Sequence, residues 1–171
     1  MHHQTVTQDE AFQPAVEKLA IKTCELIKFT FKYDASAFIQ ADTFEKLCDP
    51  VANLLTCTGV TDFAGFVEDS IKPMIVEMNE RINDDAMWIK LNLSLLMQTR
   101  SENWQSRLGA LSIVEHMFDI MRERYLIILN DTIPFISESL EDENEEVEST
   151  AKRIVNQIEQ LTGESINEYL K

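Results

Sequence analysis

One histidine beyond the first three residues, His116, three cysteines, Cys24, Cys48 and Cys57, and thirty carboxylates are the side chains here with the chemistry of a nucleophile, a base or a metal ligand. His116 directly follows Glu115. Consecutive positions on a helix point apart, so the two do not converge on one ligand, and no HExxH spacing occurs. A surface or internally satisfied histidine is the favoured reading. The cysteines are odd in number and lack CxxC spacing, which matches neither a disulfide framework nor a zinc site; they read as small buried apolar positions. Four glycines form no phosphate-cradling loop, and neither a nucleophile elbow nor a thiol-protease signature is present. The expectation is a chain without catalytic residues, metal or cofactor.

What remains is the chemistry of charged surfaces. From Glu138 to Glu148 there are seven carboxylates (Glu138, Glu141, Asp142, Glu143, Glu145, Glu146 and Glu148) and no base. Several would stand at the start of a helix, where the macrodipole favours negative charge. The functional reading is that Glu141, Asp142, Glu143, Glu145 and Glu146 form a surface for a basic protein segment. The stretch from Arg81 to Arg124 is close to neutral. Lys90, Arg100 and Arg107 are its candidate phosphate contacts, with an ordinary mixed surface as the favoured alternative. A formal charge of −15 opposes both a phosphate backbone and an anionic membrane.

These side chains need helices to position them. Glycine and proline number four each, too few for the frequent turns of a sheet protein. Length suits one domain; no apolar run approaches the ~20 residues of a membrane span. The first ten residues are polar, so the chain reads as soluble and intracellular. In that setting Asn92-Leu93-Ser94 and Asn130-Asp131-Thr132 are chance matches to a glycosylation triplet. Residues 1–8, with His2 and His3, read as a disordered or tag-derived tail, and 9–171 as a single helical domain.

Apolar spacing predicts a first helix over 9–33, with Phe12, Val16, Leu19, Ala20, Thr23, Ile27 and Thr30 facing in. A second starts near Asp42 and Glu45 in the manner of a capping box, and Pro50 should kink it. Thr61 or Asp62 opens a third, apolar in helical register as far as Ile82 and interrupted at Pro73. Asn83-Asp84-Asp85 caps a fourth, with Trp88, Leu91, Leu95 and Leu96 inward. A fifth carries Leu108, Leu111, Val114, Met117, Phe118 and Met121. After a turn at Tyr125–Leu129, Asp131 or Thr132 caps a sixth with Pro134 in its first turn. The last bears Val147, Ala151, Ile154, Val155, Ile158 and Leu161, and Gly163 stops it.

An offset of 41 residues relates the last helix to the fifth: Ala110 falls on Ala151, Ile113 on Ile154, Val114 on Val155, Met117 on Ile158. A period of ~40–47 residues built from helix pairs is the signature of HEAT-type repeats. Ala110 and Ala151 are the small residues at which helices approach closely, and Arg107, Asp142 and Val147 complete the repeat positions. The expected fold is all-α, a HEAT-like α-solenoid of stacked antiparallel helix pairs, with a compact helical bundle as the alternative. Repeats should be clearest from about 84 to 162, with 163–171 as a C-terminal cap. Asp142 at the turn of the second repeat should reach Arg107, which opens the second helix of the first, as an exposed pair worth ~0–1 kcal/mol.

Larger blocks carry a family resemblance: Trp88-Ile89-Lys90-Leu91-Asn92 followed by Leu95-Leu96-Met97-Gln98-Thr99-Arg100; Arg107 with Ala110-Leu111; Tyr125-Leu126 and Leu129 to Phe135; Leu140-Glu141-Asp142 with Glu145 to Glu148; and Gly163 to Ile166 with Tyr169-Leu170. They resemble the family of HEAT repeat-containing protein one, or U3 small nucleolar RNA-associated protein ten. The likeness is specific from about Trp88 onward and looser from Leu19 to Ile82. Leu91 stands where the family has proline, and Ser106 where it has valine. The resemblance implies the C-terminal end of a nuclear, nucleolar scaffold of the small-subunit processome, acting in rRNA transcription and pre-18S processing. Its implied partners are other processome proteins, with pre-rRNA or the U3 ribonucleoprotein reached indirectly, and with no membrane and no small-molecule substrate. The alternative is a module that binds pre-rRNA directly.

Overall fold

The computed structural model describes residues 8–35, 38–82 and 84–166. Eight α-helices follow one another among them: α1 (Gln8–Lys32), α2 (Ala41–Ala52), α3 (Phe63–Phe66), α4 (Lys72–Arg81), α5 (Asp85–Met97), α6 (Trp104–Met121), α7 (Leu129–Ser139) and α8 (Glu145–Thr162). They form two layers. In one, α1 packs on α4, α4 on α6 and α6 on α8; in the other, α2 packs on α5 and α5 on α7. The layers join where α5 meets α6 and α7 meets α8. From α4 onward each helix neighbours the one two places along the chain, while α1 and α2 neighbour α4 and α5 across the four-residue α3, which is stacking of antiparallel pairs into a solenoid and not the closed ring of a bundle.

The repeat is sharpest in α6 and α8. Each has 18 residues, and each is opened by an asparagine, Asn103 and Asn144, whose side chain accepts backbone N–H groups of the first turn. Ser106, Gly109, Ala110, Ile113 and Met117 are buried on α6; their counterparts Val147, Thr150, Ala151, Ile154 and Ile158 are buried on α8. Gly109 lets α6 lie close to its neighbours, since a Cβ there would come within 3.0 Å of Leu55 Cδ2. Gly163 ends α8 at φ +73°, the left-handed conformation glycine adopts at little cost. Ile166 is buried; the remainder of the expected cap, 167–171, lies outside the described residues, as do residues 1–7 of the expected tail.

Several local expectations need correction. On α1 the core-facing line is Ala20, Cys24, Ile27 and Phe31, whereas Val16 and Leu19 are 49% and 68% exposed. Both lines have helical spacing, so periodicity alone did not choose between them; Phe12 lies outside the described side chains. α2 begins at Ala41 with Gln40 at the N-cap, so Asp42 is inside the first turn and pairs with Lys46 at 3.5 Å instead of capping. Pro50 sits within α2, which tightens into a 3₁₀ turn at Asn53–Thr56. At Pro73 the expected interruption is met: a π turn at Val67–Ile71 separates the short α3 from α4, and Pro73 falls in the first turn of α4. There its missing N–H costs little. Pro134 lies inside α7, which starts at Leu129, so neither Asp131 nor Thr132 is its cap. The run around Tyr125 is a 3₁₀ segment, Arg122–Ile128, that leads directly into α7.

One buried polar chain ties α5 to α7 within their layer, through Tyr125 of the 3₁₀ segment before α7. Tyr125 donates its hydroxyl to Asn92 Oδ1 at 2.7 Å, Asn92 Nδ2 donates to Thr132 Oγ1 at 3.2 Å, and Thr132 donates to the Ile128 carbonyl at 2.9 Å. Burial pushes the Tyr125 phenol upward, so it stays a neutral donor. Asn92 is 1% exposed, which removes the acceptor of the first glycosylation-like triplet from the accessible surface; in the second, Asn130 is exposed and Thr132 is buried.

Candidate protein-interaction surface

The turn between α7 and α8 carries the acidic run, and the fold divides its carboxylates into two kinds. Asp142 faces inward. Arg107 Nε and Nη2 donate to its two carboxylate oxygens at 2.7 and 2.8 Å, while Arg107 Nη1 donates to the carbonyls of Ser101 and Glu102 at 3.0 and 3.1 Å. The side chains are 10% and 9% exposed. The expected partners therefore meet, but in a nearly dry joint between α6 and the turn before α8, not on the surface. The guanidinium holds the Asp142 carboxyl below the usual range, helped by the Asn144 backbone N–H. Glu138 is taken up likewise: Arg100 grips it through two hydrogen bonds of 2.7 and 2.6 Å and lies 4.2 Å from the Phe135 ring centre.

Glu141, Glu143, Glu145 and Glu146 are all exposed. Glu143 is 90% exposed with its carboxylate 3.7 Å from Arg107, and Glu145 and Glu146 stand in the first turn of α8, where the helix dipole holds them. Of the five residues singled out for a basic partner, these four present charge to solvent and Asp142 is spent inside. Beside them two clefts run along α6. One of about 210 Å³ is lined by Phe63, Val67, Trp104, Leu108 and Glu146. The other joins Leu108 and Ser112 to Glu145, Glu146 and Arg153. Trp104, 41% exposed, is the exposed aromatic of this strip beside the buried Phe63, and it lies outside the acidic run that stands out in the sequence. Its position one residue after the Asn103 cap was the available signal.

The three candidate phosphate contacts are placed apart and each is engaged. Lys90 lies 3.6 Å from Asp49, Arg100 holds Glu138, and Arg107 holds Asp142. A phosphate would have to displace a carboxylate at every one. His116 lines a separate cleft with Lys28, Glu68 and Lys72, while its neighbour Glu115 binds Arg153 at 2.6 Å. Among the described residues no three His, Cys, Asp or Glu side chains gather as a metal would require, and no helix is long and apolar enough to cross a membrane. Burial raises the Cys24 and Cys48 thiols to about 12, which keeps them unreactive.

No family model matches the chain. It is 33% identical over 94% of its length to an uncharacterized protein of Arabidopsis thaliana. It is 31% identical over 94% to HEAT repeat-containing protein 1 of Homo sapiens. It is 28% identical over 92% to U3 small nucleolar RNA-associated protein 10 of Aspergillus oryzae. It spans only 8%, 8% and 9% of these relatives. The similarity extends through α1 to α4 as well as through the α6–α8 repeat.

Proposed function

Because the chain belongs to the family of HEAT repeat-containing protein 1 and U3 small nucleolar RNA-associated protein 10, as a region of it, we propose that it serves ribosome biogenesis as a non-catalytic protein-interaction scaffold. A relative named as associated with U3 small nucleolar RNA supports a nucleolar setting; within the proposal, the assembly is the small-subunit processome and the processes served are rRNA transcription and pre-18S processing. The observation that carries the reading is the strip along α6 and the start of α8. There, Glu146 lines an apolar cleft containing Trp104, Glu145 and Glu146 line the adjoining cleft, and exposed Glu141 and Glu143 stand in the turn just before them. An open acidic border beside an apolar floor suits a basic protein segment with an apolar anchor.

Binding of the purified chain to individual U3-particle proteins, measured by calorimetry, tests this. At least one should bind, and E141K/E143K/E145K/E146K should weaken it ~10-fold or more while the fold persists. The alternative, direct pre-rRNA binding, predicts an RNA mobility shift that falls steeply with salt and is reduced by Lys90→Glu. An RNA shift together with no protein binding would replace the scaffold reading.

A further inference from the structure

The cleft at Trp104 and the separate cleft at His116 have one wall residue in common, Glu68. Trp104, Leu108, Ser112 and His116 recur every fourth residue on α6 and so form one ridge along it, with the two clefts in line beside that ridge. The facing wall is built by Phe63 and Val67 at the first cleft and by Lys72, Pro73 and Val76 at the second. Together they make one groove parallel to α6, about 18 Å long at a rise of ~1.5 Å per residue from Trp104 to His116.

The two ends of the groove are unlike in charge. At the Trp104 end stands Glu146, with Glu145 beside it in the adjoining cleft. The one cation there, Arg153, is taken by Glu115 at 2.6 Å, so both glutamates are without an ion-pair partner among the described residues. At the His116 end the carboxylates are the ones already engaged. Lys72 holds Glu68 at 2.5 Å, Lys32 lies 3.6 Å from Glu77, and Asp119, farther along α6, accepts from Gln157 at 2.8 Å. What is left over is Lys28 of α1 and His116 of α6, both half-buried and neither with an ion-pair or hydrogen-bond partner among the described residues. In a chain whose total charge is −15, this is an end that lacks an anion.

Between the ends the floor is apolar, with Val67 buried and Leu108 half-buried. The side chains of Gln105 and Ser112 also line it and have no hydrogen-bond partner among the described residues. A helix laid in the groove would bring a backbone already bonded to itself. An extended segment brings free N–H and C=O groups that both side chains can meet.

We propose that this groove takes a partner polypeptide segment in extended form, with Lys or Arg at Glu145 and Glu146, one apolar side chain in the cleft of Phe63, Trp104 and Leu108, and Asp or Glu at Lys28 and His116. At ~3.3 Å per residue the segment is about five or six residues long. The inference rests on the scaffold reading and adds to it the conformation of the bound segment and the order of its charges.

Three fluorescent synthetic peptides of about eight residues, each made in both chain directions, test it by anisotropy with the whole chain. The first carries arginines at one end, a central leucine and glutamates at the other end. The second has lysines in place of the glutamates, and the third has serine in place of the leucine. In one direction the first peptide should bind one to one, at least ~10-fold more tightly than either of the others. Total charge alone predicts the opposite order for the first two, since the second is the more basic. Lys28→Glu/His116→Glu should reverse that order, and Trp104→Ala should weaken the first peptide ~10-fold; none of the three residues is buried, so the helical content should stay unchanged. A second peptide that binds the parent as tightly as the first, or an order that survives Lys28→Glu/His116→Glu, overturns the proposal. So does failure of every peptide to bind, and in that case the scaffold reading is still decided separately, by calorimetry with the U3-particle proteins.

Discussion

α1 and α8 are the two edges of one layer and they are finished in opposite ways. Inward they are alike: Ala20, Cys24 and Phe31 on α1, and Val147, Ala151, Ile154 and Ile158 on α8, are all buried. Outward α1 shows Leu19 and Leu26 at 68% and 69% exposure, whereas α8 shows Lys152, Arg153, Asn156 and Gln160. In stacked repeats a polar outer face shields a core, and an apolar one leaves surface to be covered. The difference therefore separates residues that hold this chain together from residues that cost it little in isolation.

The most direct way to break that comparison is to truncate one apolar side chain on each kind of face. Ile154→Ala, at a fully buried position, should lower unfolding stability by about 4 kcal/mol. Leu26→Ala should change it by less than ~0.5 kcal/mol, since the leucine already faces water. Urea midpoints measure both. Similar losses would mean that Leu26 is covered in solution.

The two arginine–carboxylate pairs extend the contrast to polar groups. Arg107→Ala leaves Asp142 in a nearly buried site and frees two carbonyls, for an expected loss of about 2–3 kcal/mol, and Arg107→Lys should recover only part because an ammonium cannot make the two-pronged contact. Arg100→Ala removes an equally well-formed pair from side chains 44% and 52% exposed, and its midpoint should match the parent's. The sequence placed Asp142 at the turn of the second repeat and Arg107 at the start of the second helix of the first. It could not show their burial, which depends on how tightly the turn before α8 closes over α6.

The same limit explains what else was legible. A 41-residue offset set by short-range periodicity located α6 and α8, because their apolar lines, alanines and asparagine caps all recur in register. The first half was harder. α1 has two lines of apolar residues, and choosing the inward one requires knowing which neighbour is present. Pro73 marked an interruption of the third helix, but not that it would take the form of a π turn at Val67–Ile71. In the candidate surface the acidic run stood out, yet its division into exposed glutamates and the buried Asp142 followed only from the fold.

Titration sharpens the Asp142 comparison. Its carboxyl is held below the ordinary value of 3.8, chiefly by Arg107, so its folded pKa is depressed. A depressed acid contributes stability that is fully present above its unfolded pKa and disappears as pH falls through its folded pKa. Between pH 5 and pH 2.5, roughly, the parent should lose stability faster than Asp142→Asn, which begins lower and has no such proton to take up. Parallel curves would show that the joint contributes nothing through charge.

The smallest expected effects test the equivalence of α6 and α8 themselves. Asn103 accepts one first-turn N–H, from Gln105 at 2.8 Å, and also donates to Thr58 Oγ1 at 3.2 Å. Asn144 accepts two, from Glu146 and Val147 at 3.0 and 3.3 Å. Either asparagine to alanine should cost about 1 kcal/mol. The local consequences should differ. α6 is clamped between α4 and α8, so its first turn is held by packing after Asn103→Ala. The first turn of α8 has Glu145 and Glu146 exposed, and Asn144→Ala should release it to fast amide exchange. Hydrogen exchange at residues 145–148 reads this directly; unchanged protection there would show that the dipole-placed glutamates and the Val147 contact hold the turn without the cap.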